Sequence, residues 1–105
     1  MNESNSYPPA AHLSDRSKKI WASVVPSTGK LPPRLALVTT ALEALDRADG
    51  ARKILDDEGV VVTPPNGKMA HAHPAIRIEK DSRAQFLKAW SQLKLHWDRP
   101  DLKAS

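Results

Sequence analysis

Apolar residues recur at helical spacing in three segments of the chain, separated by two stretches rich in proline and glycine. The first segment begins after Ser14, whose hydroxyl suits a helix N-cap, and carries an acid in its first turn. Its apolar face consists of Ile20, Trp21, Val24 and Val25. Because proline lacks the N–H that a helix interior needs, Pro26 is predicted to end this helix.

The second segment opens at Pro32-Pro33, since proline is tolerated in the first turn of a helix. Its apolar positions, spaced as in a heptad seam, are Leu35, Val38, Leu42, Leu45 and Leu55. Gly50 costs about 1 kcal/mol relative to alanine, so a bend or a close contact is expected there. Gly59 suits the residue after the helix end, and a continuous helix over 33–58 is about 39 Å long.

A connector follows, in which Pro65-Asn66-Gly67 is typical of a type I turn with a left-handed glycine. The turn predicts a hairpin that pairs 60–63 with 68–71. Pro74 then begins a third helix that runs to about Trp97. Its predicted stripe is Phe86, Leu87, Trp90, Leu93 and Trp97. The predicted fold is mainly α: a short entry helix, a long helix, a small β-hairpin connector and a second long helix.

Two helices of about 26 and 24 residues have more apolar face than one small globule hides, and a lone hairpin is marginal in water. The sequence therefore predicts a homo-oligomer. Its predicted interface is Leu35, Val38, Leu42, Leu45, Trp90 and Trp97.

The chain of 105 residues has room for one domain. Residues 1–12 are predicted to be a disordered tail, 13–98 a helical domain and 99–105 a flexible C-terminal tail. The start has no signal-peptide pattern, and no apolar run is long enough for a bilayer. These features predict a soluble intracellular protein without a membrane partner.

The chain carries a net positive charge of +4, since it has 16 Lys and Arg against 12 Asp and Glu. This excess is compatible with a polyanionic partner and is equally compatible with a solvated face. The candidate phosphate contacts lie on the first helix, at the hairpin and along the third helix. They are Lys18, Lys19, Lys68, Arg77, Lys80, Arg83 and Lys88.

Other chemistry finds little support in the sequence. The chain has no cysteine, and His71 and His73 would have to recruit His12 and His96 from far away to complete a zinc site. We interpret the pair as a polar connector in which one histidine caps the following helix. The acidic run 56–58 is interpreted as a solvated helix end.

Catalytic groups are missing as well. Thr39 and Thr40 have no nucleophile motif around them, and the four glycines are isolated, so no phosphate-binding loop is present. The sequence predicts no enzyme, no metal and no cofactor.

The order of these motifs resembles the small terminase subunits of tailed double-stranded-DNA phages and prophages, over about residues 13–95. The entry helix has its tryptophan, Trp21, after Leu13-Ser14. The connector follows a "T-x-x-G-x-x-x-x-HP" pattern from Thr63 to Pro74, with Gly67 one residue further on than usual. Many members carry a basic N-terminal arm and a glycine where Lys94 stands here, and both are absent from this chain.

The resemblance implies a non-enzymatic role in DNA packaging in the cytoplasm of a bacterial host. The implied partners are double-stranded DNA, the large ATPase/nuclease terminase subunit and further copies of the chain, often in a ring. Two alternatives stay open: a small helical DNA-binding protein and a protein-interaction module of prophage origin.

Overall fold

The computed structural model describes residues 7–28 and 31–94. Three helices and one two-stranded antiparallel sheet follow in the order α1 (Asp15–Thr28), α2 (Pro32–Glu58), β1 (Val61–Val62), β2 (His71–Ala72) and α3 (Ala75–Leu93). This order confirms the predicted mainly helical fold with a hairpin connector.

Helix α1 begins as predicted and ends later. The Ser14 hydroxyl accepts a hydrogen bond from the Ser17 N–H at 3.1 Å, which is N-cap geometry. The prediction that Pro26 ends the helix is wrong, since α1 continues to Thr28. A proline near a C-terminus removes one backbone hydrogen bond, and the buried side chains of Val25 and Thr28 hold this last turn against the core.

Helix α2 is continuous over 27 residues, and Gly59 ends it with its N–H bonded to the Leu55 carbonyl at 2.8 Å. The expected close contact at Gly50 is not there, because a Cβ at that position would meet nothing within 4 Å. Gly50 is therefore an exposed position of α2 whose lack of a side chain serves no packing.

Two apolar seams run along α2, and only the leucine seam is obvious in the sequence. Leu42, Leu45 and Val38 pack into the main core cluster with Trp21 of α1 and Leu93 of α3. The second seam consists of the buried alanines Ala41, Ala44, Ala48 and Ala51. Small side chains let α3 approach closely, and Ala51 packs against Ala75 at its start.

Helices α2 and α3 are antiparallel and make the most extensive contact between elements. Paired side chains show the direction: Arg52 meets Glu79, Arg47 meets Gln85, and Arg34 reaches the carbonyl of Leu93. Helix α1 packs mainly on α2. Together these contacts cover the leucine seam within a single chain.

The third helix ends at Leu93, earlier than predicted, and Lys94 takes a left-handed conformation at φ 51. This is the position where the resemblance expects glycine, the residue that adopts such a conformation most easily. Leu87 was predicted to lie on the buried stripe and is 62% exposed. The buried face is completed instead by Ala75, Ser82 and Ala89.

Residues 7–12, assigned to a disordered tail, contact the core. Tyr7 and Ala10 pack against the main cluster, and the Tyr7 carbonyl accepts a hydrogen bond from the Trp21 indole at 2.7 Å. The His12 ring lies 2.7 Å from the carboxylate of Glu43 on α2. The remaining tail predictions, for 1–6 and 99–105, lie outside the described residues.

Candidate nucleic-acid interface

The hairpin between α2 and α3 has a shorter ladder than predicted and a longer tip. Its ladder pairs Val61 with Ala72 and Val62 with His71, so the predicted pairing of 60–63 with 68–71 is shifted and too long. A turn over 64–67 closes with the Gly67 N–H bonded to the Pro64 carbonyl at 3.4 Å. Gly67 has a positive φ, as the turn prediction required.

The tip of the hairpin, residues 64–69, is fixed by its own side chains. The Asn66 side-chain oxygen accepts a hydrogen bond from the Lys68 N–H at 3.2 Å, which is an Asx turn. Two prolines before it restrict the backbone further. Lys68 and Met69 are thus presented to solvent from an ordered turn.

His73 joins the hairpin to both long helices. Its Nδ1 accepts a hydrogen bond from the Ala75 N–H at 3.0 Å, and its Nε2 lies 3.0 Å from Glu58 at the end of α2. Its backbone N–H bonds to the Val60 carbonyl at 2.9 Å. The prediction that one histidine caps the following helix is confirmed, and the N–H on Nε2 then donates to Glu58.

The predicted phosphate contacts on α3 fall into two groups, of which the first faces solvent. Arg77, Lys80 and Lys88 are exposed, and their spacing keeps them on one side of the helix over a length of about 16 Å. We call these three residues the α3 basic surface. Within the described ranges 7–28 and 31–94, none of the three makes an ion pair.

A shallow groove begins where the hairpin meets α3. Ala72, His73 and Pro74 form one wall, and the other wall is formed by Ile76, Arg77, Lys80 and Asp81. The groove therefore brings two cations of the α3 basic surface next to the end of the hairpin. Lys88 lies further along the helix, beside a second groove between α2 and α3.

The chain segment that leads into this surface carries no negatively charged side chain. From Gly59 to Ile78 the chain has no Asp or Glu, although it carries Lys68 and Arg77 and is flanked by Glu58 and Glu79. Twenty consecutive residues without a carboxylate, in a chain with 12 acids, leave the hairpin and the start of α3 with a positive local field. An anionic partner would meet little repulsion here.

Arg83 differs from the rest of α3, because carboxylates already surround it. Its guanidinium lies 3.0 Å from Glu79 and 3.9 Å from Asp49. These pairs belong to a chain of alternating charges that joins all three helices, which we call the charge network. Its members are Arg16, Asp49, Arg83, Glu79, Arg52 and Asp56.

The arginines of the charge network are already paired with carboxylates. Arg16 donates two hydrogen bonds to the Asp49 carboxylate, at 2.8 and 2.7 Å. The hydrogen bond with Asp56, followed by the attraction of its charge, raises the pKa of Arg52 above its ordinary value. The sequence predicts Arg83 as a phosphate contact. In the structure its guanidinium is paired with Glu79 and Asp49 within the charge network.

Lys18 and Lys19 lie on α1, away from the hairpin and α3 in the chain's own packing. Lys19 is exposed and Lys18 half-buried, on a helix that packs mainly on α2. The structure therefore brings Arg77 and Lys80 together and leaves this lysine pair on a separate helix.

The described residues of the predicted oligomer interface lie in or against the chain's own core. Val38, Leu42 and Leu45 are buried inside the single chain, and Leu35 and Trp90 are half-buried against the same cluster. Trp97 lies outside the described residues. The leucine seam is therefore not left uncovered, because side chains of α1 and α3 pack against it within the chain. Self-association stays a prediction.

Two polar residues that organise the fold were missed in the sequence. Arg34 donates to the Thr28 carbonyl at the end of α1 and to the Leu93 carbonyl at the end of α3, the latter at 2.6 Å. One guanidinium thus binds the C-terminal carbonyls of two helices, which their dipoles favour. The available signal was a cation in the first turn of α2, where the dipole of that helix disfavours it.

Asp46 is the second missed residue, and it binds the start of α1. It accepts hydrogen bonds from the Ser14 N–H at 2.8 Å, the Ser14 hydroxyl at 2.7 Å and the Ser17 hydroxyl at 2.6 Å. Partial burial opposes the charged form, but the hydrogen bonds from Ser17 and Ser14 outweigh it and hold the pKa of Asp46 below its ordinary value. An acid directly after Leu45, within the apolar seam, was the only local sign.

Neither metal binding nor membrane insertion is indicated by the geometry. Over the part of the chain that the structure describes, no three His, Asp or Glu side chains group closely enough to hold a metal ion. In the same residues, no helix has the length and apolar character needed to cross a bilayer.

Comparison with known proteins gives one match. No curated protein and no solved structure matches the chain. A family model described as phage terminase, small subunit, matches residues 17–98. This range includes α1 from its third residue onward, the whole hairpin connector, α2 and α3. Since that match covers most of the sequence, the chain belongs to the small-subunit family of phage terminases.

Proposed function

We propose that this chain is the DNA-recognition subunit of a phage DNA-packaging terminase. In this role it binds phage DNA and assists the large ATPase/nuclease subunit, without catalysing a reaction or holding a cofactor. Family membership supports a part in DNA packaging. The observation that carries the DNA-binding part is the exposed, unpaired α3 basic surface beside a hairpin without carboxylates.

The cations of α3 differ in whether a carboxylate already lies beside them. DNA presents one phosphate charge for about every 1.7 Å of duplex axis, and each lysine or arginine that neutralises a phosphate releases a counterion. Arg77 and Lys80 have no competing carboxylate within 4.0 Å among the described residues, whereas Arg83 has two. Arg77, Lys80, Lys88 and Lys68 are therefore the contacts we propose, and Arg83 is assigned to the charge network.

Few contacts per chain imply weak binding by one copy. Non-specific protein–DNA complexes that rest on such contacts have dissociation constants of about 10⁻⁴–10⁻⁶ M at physiological salt. We propose that homo-oligomerisation, in a ring or another closed assembly, multiplies the contacts and raises the affinity by avidity. Since Val38, Leu42 and Leu45 are buried, the interface would use exposed apolar residues such as Leu87 or Ile54. A light-scattering mass equal to the 11.6 kDa monomer would refute this part.

Charge reversal on the α3 basic surface tests DNA binding. We expect Arg77→Glu together with Lys80→Glu to abolish measurable binding to a short duplex, because two attractive contacts become repulsive. Single neutral replacements should each lower the slope of log affinity against log salt by about 0.9. Fluorescence anisotropy over a salt series measures both quantities, and circular dichroism checks the helix content.

The matched control makes the same change of charge away from α3. Lys19→Glu on α1 together with Lys53→Glu on α2 also replaces two exposed cations, and neither residue lines the groove at the hairpin. We expect this variant to keep most of its affinity. Equal loss in both variants would mean that only net charge matters, and equal retention would favour the protein-interaction alternative.

A further inference from the structure

The hairpin tip presents an apolar side chain that has no role in the fold. Met69 is 89% exposed, more than any other large apolar residue among those described, where the next values are 64% for Leu31 and 62% for Leu87. A single exposed apolar side chain is ordinary on a protein surface. Met69 matters because its burial in a complex would contribute about 1.5–3 kcal/mol.

The tip is ordered well enough to present Met69 in a defined direction. The 64–67 turn, the Asn66 side-chain hydrogen bond and the positive φ of Gly67 fix the backbone that leads into Lys68 and Met69. At the other end, His73 ties the second strand to Glu58 and to the start of α3. The hairpin is thus a short, supported arm with one apolar and one cationic side chain at its end.

The charges around this arm favour a polyanion as the occupant. Lys68 precedes Met69, Arg77 follows on α3, and no Asp or Glu occurs anywhere between Gly59 and Ile78. An acid-free apolar tip could also meet another protein, but only a polyanion uses the cations and the absence of carboxylates together. Duplex DNA supplies phosphates at the rim of a groove, and its apolar base faces become accessible to a side chain where a base step is unstacked.

We propose that Met69 is an apolar wedge that enters the minor groove of duplex DNA and partly unstacks one base step, while Lys68 contacts a neighbouring phosphate. This inference rests on the proposed DNA-binding function and assigns a separate task to the hairpin. Methionine is among the side chains that proteins insert between base steps, and the kink that results brings more duplex onto the protein. In this chain the additional duplex surface would lie along Arg77, Lys80 and Lys88.

The wedge and the phosphate contacts differ in their response to salt. An inserted apolar side chain releases no counterion, so Met69→Ala should weaken binding by roughly tenfold, within the range for a lost base contact, and leave the salt slope unchanged. Lys68→Ala should lower the slope by about 0.9. In a duplex that carries 2-aminopurine, the parent protein should raise the fluorescence by unstacking the probe, and Met69→Ala should not.

Two further variants are controls, one for the apolar character of residue 69 and one for the loss of any exposed apolar side chain. Met69→Leu retains a large apolar side chain and should retain the fluorescence rise. Leu31→Ala removes another exposed apolar side chain at the opposite end of α2, about 40 Å from the connector, and should behave as the parent.

The outcomes separate the wedge from the proposed function. If the parent binds DNA and Met69→Ala gives the same affinity and fluorescence rise, the wedge is overturned and the DNA-binding function stands. If the parent binds no DNA, both are overturned. If Met69→Ala lowers the particle mass in light scattering, the tip is a contact between copies of the chain, and the wedge is overturned.

Discussion

Arg77 and Arg83 are two arginines on one helix, and their surroundings differ completely. Arg83 faces Glu79 and Asp49 and completes a network that joins three helices. Arg77 lies in an open groove beside the hairpin and has no ion-pair partner among the described residues. A positive side chain that the fold already neutralises has less to offer a phosphate. A row of basic residues in a sequence therefore overstates how many cations are available to an anionic partner.

Two regions of the molecule show the same contrast between paired and unpaired charged side chains. On the side of α1, carboxylates such as Asp46 and Asp49 lie against serines and arginines, and the buried hydroxyl of Ser17 has its acceptor. The hairpin and the first residues of α3, from Gly59 to Ile78, carry no acid, and Arg77 and Lys80 have no ion-pair partner among the described residues. The first region holds the helices together, and the second leaves its cations exposed.

The largest expected effect is the loss of Asp46. Asp46→Ala removes the acceptor of three hydrogen bonds at the start of α1 and leaves the buried Ser17 hydroxyl unpaired. We expect the free energy of unfolding to fall by about 2–3 kcal/mol, as for other hydrogen bonds to charged groups. Urea denaturation measures the change. Glu43→Ala, which removes the exposed pair with His12, is the control and should cost less than about 1 kcal/mol.

The acid dependence of stability should report the same carboxylate. The pKa of Asp46 is lower in the folded chain than its ordinary value of 3.8. Its contribution to stability is therefore fully present above pH 3.8 and is lost as the pH falls through the lower, folded value. The difference in unfolding free energy between the parent and Asp46→Asn should be constant near neutral pH and shrink in acid. A difference that grows on acidification would contradict this assignment.

The smallest expected effects come from the two arginines, and they should be reciprocal. Arg83→Gln should lower the unfolding free energy by less than about 1 kcal/mol, because the pair is partly exposed, and leave the salt slope of DNA binding unchanged. Arg77→Gln should change stability by at most about 0.5 kcal/mol and lower the salt slope by about 0.9. Thermal melts and anisotropy titrations of both variants measure the four values. A lower slope for Arg83→Gln would return Arg83 to the DNA contacts.

Local sequence patterns predicted the helices and much of the connector. The Ser14 cap, the helix end at Gly59, the positive φ of Gly67 and the capping by His73 all depend on neighbours a few residues away. Such features follow from backbone geometry and short hydrogen bonds, so the amino-acid order is enough to infer them. The basic residues of α3 could also be placed on its solvent side, since their positions relative to the apolar stripe follow from helical periodicity.

Tertiary structure decided which helix covers each apolar face of α2. Both seams of α2 have helical spacing. Only the packed molecule shows that the leucines meet side chains of both α1 and α3, while Ala51 meets Ala75 at the start of α3. The leucine seam, which the sequence assigned to other copies of the chain, is buried within the single chain, and Leu87, which it placed on the buried stripe, is exposed. Arg34 and Asp46 act on partners at least six residues away, up to 59 for Arg34 and Leu93. Arg83 pairs with Glu79 one turn away and also with Asp49 on α2. Periodicity determines which side of a helix is apolar, but the neighbour that covers it, and the charge that neutralises an arginine, exist only once distant segments are brought together.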